Sequence, residues 1–322
     1  MIEAKLVPVR HMLLPFQLAG AGCLLRSNSH ELVEIIDEHT EQFTGETVCT
    51  LNVEVVSSDS SPVAPAHFRG MHHVVLASFG AANIFAFDLL RGTVTARVSG
   101  RVAANADFWR WTLLPIAAGV LGARIGVLPV HSACLARDGS AMLIAGESGA
   151  GKSTLALALA KRGFEYLSDD WTYCIKTDGA LQAHGTGARI KLLPDAADHF
   201  PLLKQFEAGE SMNGERAFEV MPDEAFGIKM VKHATPTAFV FYRRIEHAAA
   251  RATQLDGKAT LRYLENSVER LPTQLPGTIA ARRVLMNAIA ELPCWRFECG
   301  GPPDAIAAEV EAFYEQRLRA GL

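Results

Sequence analysis

The chain lacks a paired-cysteine framework. Its six cysteines, Cys23, Cys49, Cys134, Cys174, Cys294 and Cys299, are scattered over 322 residues with no C-x-x-C. That spacing argues against a zinc knuckle or a disulfide scaffold and points to reduced thiols in a cytoplasm. The chain also lacks an excess of one charge: 31 Lys and Arg against 35 Asp and Glu leave a net charge of -4, with no long basic run. Neither a nucleic-acid stripe nor an anionic membrane surface is therefore expected as a partner. Long hydrophobic runs are missing too. The most apolar stretch, Trp111 to Ala123, is bracketed by Arg110 and Arg124 and falls short of the roughly 20 residues a membrane helix needs. It reads as a buried helix interrupted near Pro115. At the N-terminus Glu3, Pro8 and Pro15 break up any apolar signal-peptide core, so nothing marks the chain for export. There is no internal repeat and no extended low-complexity tract. What is present is 49% apolar and 20% charged residues, enough to bury a substantial core, over a length that suits two domains better than one.

The first domain is expected over residues 1–104, as a smaller, mainly antiparallel α+β unit with a substrate-recognition or regulatory role. Asn28, with Glu31 three residues on, has the form of a capping box, and Leu32, Ile35, Ile36 and Phe43 share one face of the helix it would open. Strands are expected from Thr47 to Val56, His72 to Phe79, Asn83 to Leu90 and Thr93 to Gly100, where β-branched and aromatic residues alternate with turn formers. The segment from Ser57 to Ala66 reads as a surface loop.

The second domain, 105–322, is expected to be α/β, a P-loop core on a mixed sheet. Its centre is Gly146-Glu147-Ser148-Gly149-Ala150-Gly151-Lys152-Ser153, followed by Thr154, which fits G-x-x-x-x-G-K-[ST]. The motif needs a strand before it and a helix after it. Ala141 to Ala145 is a short apolar run, and Ser153 to Arg162 is a set of strong helix formers closed by Gly163. In such a loop the glycines let backbone N–H groups converge on phosphate, Lys152 reaches the β and γ phosphates, and the Ser153 hydroxyl suits Mg²⁺. The cofactors expected are therefore ATP or GTP with Mg²⁺. Later strands are expected at Thr237 to Tyr242 and Cys294 to Cys299, with helices around 259–271, 276–292 and 303–318.

Two further features narrow the chemistry. Phe164 to Trp171 follows the P-loop helix directly, and a strand there ending in Asp169-Asp170 is expected to return beside the P-loop strand. Two carboxylates at a strand end can divide the work, one binding Mg²⁺ and one taking a proton from an attacking hydroxyl. Asp138-Gly139 is a two-residue hairpin turn between apolar runs. Pairing Arg137 with Ser140 and counting outward sets Cys134 opposite Leu143 and His131 opposite Gly146, at the mouth of the P-loop. A histidine there can bond an Asp of the pair or a transferring phosphoryl group.

Taken together, His131, the hairpin, the "GESGAGKST" loop, the helix ending in Arg162-Gly163 and "SDD" resemble the kinase core of the bacterial HPr kinase/phosphorylase family. The arrangement is shared more distantly with P-loop phosphoenolpyruvate carboxykinases. The resemblance covers Pro129 to Trp171. It implies phosphate binding by Gly146 to Lys152, Mg²⁺ binding by Ser153 with one Asp, and a second Asp that activates a serine hydroxyl with help from His131. The order taken is Asp169 as base and Asp170 as metal partner.

The chain also departs from that family. The Glu-Ile-Arg-Gly-Leu-Gly-Ile segment and the Lys-rich loop are absent, and Ser132 follows His131 where the family has Gly. The nearest polar substitutes are Gly185 to Ala197, with Arg189 and Lys191, and Arg243-Arg244. The N-terminal half does not read as the family's regulatory domain. The whole resembles the related kinases associated with peptide-modifying gene clusters, which makes HPr itself an unsafe substrate assignment. The expectation is a cytoplasmic ATP- and Mg²⁺-dependent serine kinase acting on a peptide or small protein, with oligomeric state left open, a homo-oligomer included. An NTPase switch and a small-molecule kinase are the alternatives.

Overall fold

The computed structural model describes residues 11–57, 63–187, 189–211, 214–246, 249–268 and 275–318. Residues 58–62 of the loop expected from Ser57 to Ala66, and residues 1–10 of the N-terminal stretch weighed as a signal peptide, lie outside them. Contacts divide the chain into two compact units, with the main break between Ile125 and Gly126; of the later described residues, 275–278 also belong to the first unit. That break falls later than the boundary at 104/105. The helical segment that was expected to open the second domain belongs to the first unit, where Phe108 and Trp109 join Phe79 and Phe85 in an edge-to-face aromatic cluster.

The first unit is built on a seven-stranded sheet. Its strands are β1 (Met12–Leu18), β2 (Ala21–Ser27), β3 (Cys49–Ser57), β4 (His67–Met71), β5 (Val74–Ser78), β6 (Ile84–Asp88) and β7 (Thr93–Ser99), in the order β1-β2-β3-β7-β6-β5-β4. The β2–β3 and β3–β7 pairs are parallel and the rest antiparallel, so the sheet is mainly antiparallel. β3 as far as Glu54, and β5 to β7, alternate buried with more exposed residues, while the edge strand β4 is exposed throughout; the alternation leaves one face for the core. The β1–β2 hairpin was not expected from sequence; it turns at Ala19-Gly20, both at positive φ. The first helix runs His30–His39 and is capped by Ser29, whose hydroxyl accepts from the Leu32 N–H at 3.3 Å. Asn28, the expected cap, instead ties the backbone of Val55 on β3 through both ends of its amide, at 3.0 and 2.8 Å. Phe43 falls beyond the helix. The apolar segment is a wide π-helical turn, Trp109–Leu113, leading into the helix Leu114–Leu121. Pro115 sits in the first turn of that helix, where its missing N–H costs least.

The second unit carries an eight-stranded sheet. Its strands are β8 (Val127–Arg137), β9 (Ser140–Ala145), β10 (Glu165–Ser168), β11 (Trp171–Thr177), β12 (Ala180–His184), β16 (His233–Arg244), β17 (Arg251–Gln254) and β18 (Cys294–Cys299). A small separate sheet of β13 (Ile190–Leu192), β14 (Gly209–Glu210) and β15 (Arg216–Val220) fills the polar middle of the sequence. β9 pairs antiparallel with β8 and parallel with β16, and β16 pairs parallel with β18. The sheet is therefore mixed, as expected for the α/β class. The P-loop helix (Lys152–Lys161) packs on one side of the sheet with the closing helix (Pro303–Phe313), around a core that includes Leu135, Met142, Ile144, Leu157 and Val310. The helices Gly257–Ser267 and Pro276–Ala290 contribute Leu264, Leu285 and Ile289 to a second cluster with Leu143 and Phe239. Arg137 fastens the closing helix by donating to Glu311 and Glu315, each at 2.9 Å, and Arg162 joins Glu311 at 2.6 Å.

Candidate functional site

The loop between β9 and the P-loop helix has the backbone its glycines dictate. Gly149 and Gly151 lie at φ 76° and 87°, a region that favours residues without Cβ. Gly146 is needed for a different reason: a Cβ on it would stand 2.5 Å from the Tyr242 carbonyl oxygen on β16. Glu147, Ser148 and Gly149 are exposed, while Lys152 opens the helix and is buried. Its ammonium donates to the Gly146 and Glu147 carbonyls at 3.1 and 3.2 Å, so it lies folded across the mouth of its own loop. Burial pulls the Lys152 pKa down, against the upward pull of the Asp170 and Asp169 carboxylates. Both carboxylates therefore act electrostatically on Lys152.

The hairpin places the next groups. The register counted from the Asp138-Gly139 turn is the one observed, from Arg137↔Ser140 to Ser132↔Ala145, with both turn residues at positive φ. The strand of the Asp pair does not return beside β9. β10 pairs with the far side of β8, Glu165 opposite Ala136, and β11 continues along β8 with Trp171 opposite His131. Asp169 and Asp170 are the two residues between those strands, level with the top of the P-loop strand because β8 pairs with all three. The expectation of direct adjacency to β9 is thus corrected: β8 intervenes, since as the hairpin partner of β9 it already occupies one edge of that strand and β16 takes the other.

The two aspartates have different surroundings. Asp169 is 3% exposed. One of its oxygens accepts from the Tyr166 hydroxyl at 2.7 Å, and the other, Oδ2, is buried with no hydrogen-bond partner. Burial pushes its pKa up to about 6, against the opposing influence of the Tyr166 and Ser153 hydroxyls and the Lys191 N–H. Asp170 is 62% exposed, and its Oδ1 lies 3.0 Å from Nε2 of His131. The His131 ring is stacked on Trp171, centroids 5.4 Å apart. One carboxylate is thus sealed in beside Ser153, and the other stands at the rim with an imidazole against it.

Sequence reasoning passed over Tyr166 and Trp171. Tyr166 and Asp169 are three apart, which in a regular strand would put them on opposite faces; the register shift between Tyr166 and Ser168 lets them meet. Trp171 carries a cue in hindsight, since it follows the Asp pair directly. Among the expected auxiliary cations, Lys191 is committed to Glu215 at 2.6 Å, and Arg189 lies in the exposed segment before β13. Among the described residues no three His, Cys, Asp or Glu converge on a metal position. A cation beside Asp169 and Ser153 would then complete its shell with phosphate oxygens and water, which is how Mg²⁺ is usually held. The unpartnered Asp169 Oδ2 fits that role. Also among the described residues, no helix is long and apolar enough to cross a membrane.

No family model and no curated protein matches the chain. Among solved structures it is similar to the Hpr(Ser) kinase/phosphatase from Coxiella burnetii, with 15% identity and a TM-score of 0.33, covering 60% of this chain and 92% of that one. The likeness is distant at most.

Proposed function

We propose that this chain is an ATP- and Mg²⁺-dependent kinase that transfers the γ-phosphoryl group to a serine hydroxyl of a peptide or small protein. The observation that carries this reading is the His131–Asp170 pair at 3.0 Å, set at the open rim of a phosphate-binding loop and coupled to its lysine. An exposed carboxylate with an imidazole behind it is arranged to take a proton from an incoming hydroxyl.

The geometry favours the reverse of the order taken from the sequence. Asp170, exposed and backed by His131, is the base; Asp169, sealed beside Ser153 with an unpartnered oxygen, holds the cation with it. When bound, Mg²⁺ supplies charge neutralisation at the phosphates. The serine oxygen attacks the γ-phosphorus, the bond to the β-phosphate oxygen breaks, ADP leaves, and the hydroxyl proton passes to Asp170. His131 orients that carboxylate and disperses the proton. Lys152 leaves the Gly146 and Glu147 carbonyls and turns its ammonium to the phosphates, aided by the exposed N–H groups of the loop.

The test pairs binding with transfer on two substitutions, using MgATP calorimetry and mass spectrometry of a serine-containing peptide library. Asp170→Asn is expected to bind MgATP nearly as the wild type does while phosphoserine formation falls roughly 100- to 10,000-fold. Asp169→Asn is expected to lose MgATP affinity itself. Equal binding and equal transfer in the two variants would overturn the division of roles, and wild-type protein that makes no phosphoserine while releasing inorganic phosphate would favour an NTPase.

A further inference from the structure

The P-loop strand has a different neighbour on each side, and the two sides carry different chemistry. On the β8 side stand His131 and, by way of β10 and β11, the Asp pair. On the other side β16 runs parallel to β9, with Phe241 opposite Ala145. Its C-terminal end therefore brings Tyr242, Arg243, Arg244 and Glu246 level with the start of the loop. A triphosphate lying along the loop with its γ end at Asp170 has its remaining length directed away from β8, over the end of β16. A cavity of about 530 Å³ lies there, lined by Glu147, Ser148, Gly149, Tyr242, Arg244 and Glu246 among others. That volume falls within the roughly 300–1,000 Å³ of small-molecule sites.

We propose that this cavity takes the base and ribose of the nucleotide, with Arg244 as the residue that grips the base. The inference rests on the phosphoryl-transfer reading of the P-loop and adds a site to it. The two neighbouring arginines are not equivalent. Arg243 is engaged by Glu298, Nη1 to Oε1 3.6 Å, and Arg296 holds the other oxygen of that buried carboxylate at 3.3 Å. Arg244 is exposed, and among the described residues its guanidinium makes only a 3.5 Å approach to the Gly301 carbonyl as a hydrogen bond, at the limit of such a bond. Its guanidinium is thus available to lie flat on a purine or to donate to the acceptor atoms on the edge of the ring. Glu246, two residues on, offers an acceptor for ribose hydroxyls or an exocyclic amino group. Arg243 stays with Glu298 as part of the wall.

The test compares two ligands that share phosphates and differ in the nucleoside: MgATP and magnesium tripolyphosphate, titrated calorimetrically into the full chain. Wild-type protein is expected to bind MgATP more tightly than tripolyphosphate. Arg244→Ala is expected to weaken MgATP about tenfold and to leave tripolyphosphate unchanged, with Glu246→Ala weakening MgATP alone in the same way. Both side chains face solvent, and unchanged melting curves would confirm folding. Three results would overturn the proposal: equal wild-type affinities for the two ligands, a parallel loss of both in Arg244→Ala, or no change in either. Wild-type protein that binds neither ligand would remove the nucleotide reading beneath it, a failure distinct from the other three.

Discussion

At the scale of single residues, Asp169 shows how a functional group can work against the fold that holds it. Its carboxyl is buried, one oxygen has no partner, and its pKa stands at about 6 where 3.8 is ordinary. A carboxyl whose folded pKa lies above its unfolded value binds its proton more tightly in the folded state. Folding stability of the metal-free protein therefore declines as pH rises through the window from 3.8 to about 6. Two pH units correspond to about 3 kcal/mol. Asp169→Asn is neutral at every pH, so thermal unfolding in chelator is expected to show it more stable than the wild type at pH 7 and close to it below pH ~4. A variant that is less stable than the wild type at pH 7 would show that the buried charge is compensated in some other way. The same substitution removes the oxygen assigned to the cation, so gained stability should accompany lost MgATP affinity. This residue was legible in sequence as half of a pair; its burial was not, because the Tyr166 contact depends on a register shift between β10 and β8, strands separated in sequence by the glycine-rich loop and its helix.

At the scale of elements, local signals were read correctly where the partner is close in sequence and missed where it is distant. The β8–β9 hairpin, the P-loop helix and the closing helix follow from turn residues, glycines and helical spacing within a few residues of one another. The helix start near Asn28 shows the limit. Its capping pattern is real, yet the cap is Ser29, and Asn28 is taken by Val55, 27 residues away on β3. Asn28→Ala would leave a donor and an acceptor of the Val55 backbone without partners, at a cost of about 1–3 kcal/mol, whereas Ser29→Ala gives up one cap at about 1 kcal/mol. Urea unfolding is expected to rank Asn28→Ala as the more damaging; the reverse order would restore Asn28 as the cap. The closing helix offers a second check. Burial works against ionisation of Glu311, but the hydrogen bonds from Arg137 and Arg162 outweigh it and hold its pKa below the usual 4.5. For a depressed acid the stabilisation is complete above the unfolded pKa and is lost as pH falls through the folded one. The melting-temperature gap between wild type and Glu311→Gln is accordingly expected to be widest near neutral pH and to close as pH drops below 4.5; a gap independent of pH would remove the ion pairs from the account.

At the scale of the whole molecule, every residue given a chemical role here lies in the second unit: His131, Gly146 to Thr154, Asp169, Asp170 and the end of β16. The fold of that unit explains why. β8 is long enough to pair with β9, β10 and β11, and so it carries the imidazole, the carboxylates and the phosphate loop to one end of a single sheet. The sequence supplied the members of this site but not the strand between them, since pairing across β8 is set by tertiary packing and not by local pattern. None of these residues belongs to the first unit. The central claim is that the γ-phosphoryl group goes to a serine and not to water. Its most direct test is a balance of phosphate in one reaction: ATP consumed, inorganic phosphate released and phosphoserine formed, measured with a serine-peptide library for the wild type and for Lys152→Ala. The account predicts phosphoserine in near-equal amount to the ATP consumed, and a loss on the order of 100-fold or more in the lysine variant. ATP consumption matched by free phosphate, with no phosphoserine on any peptide, would contradict it.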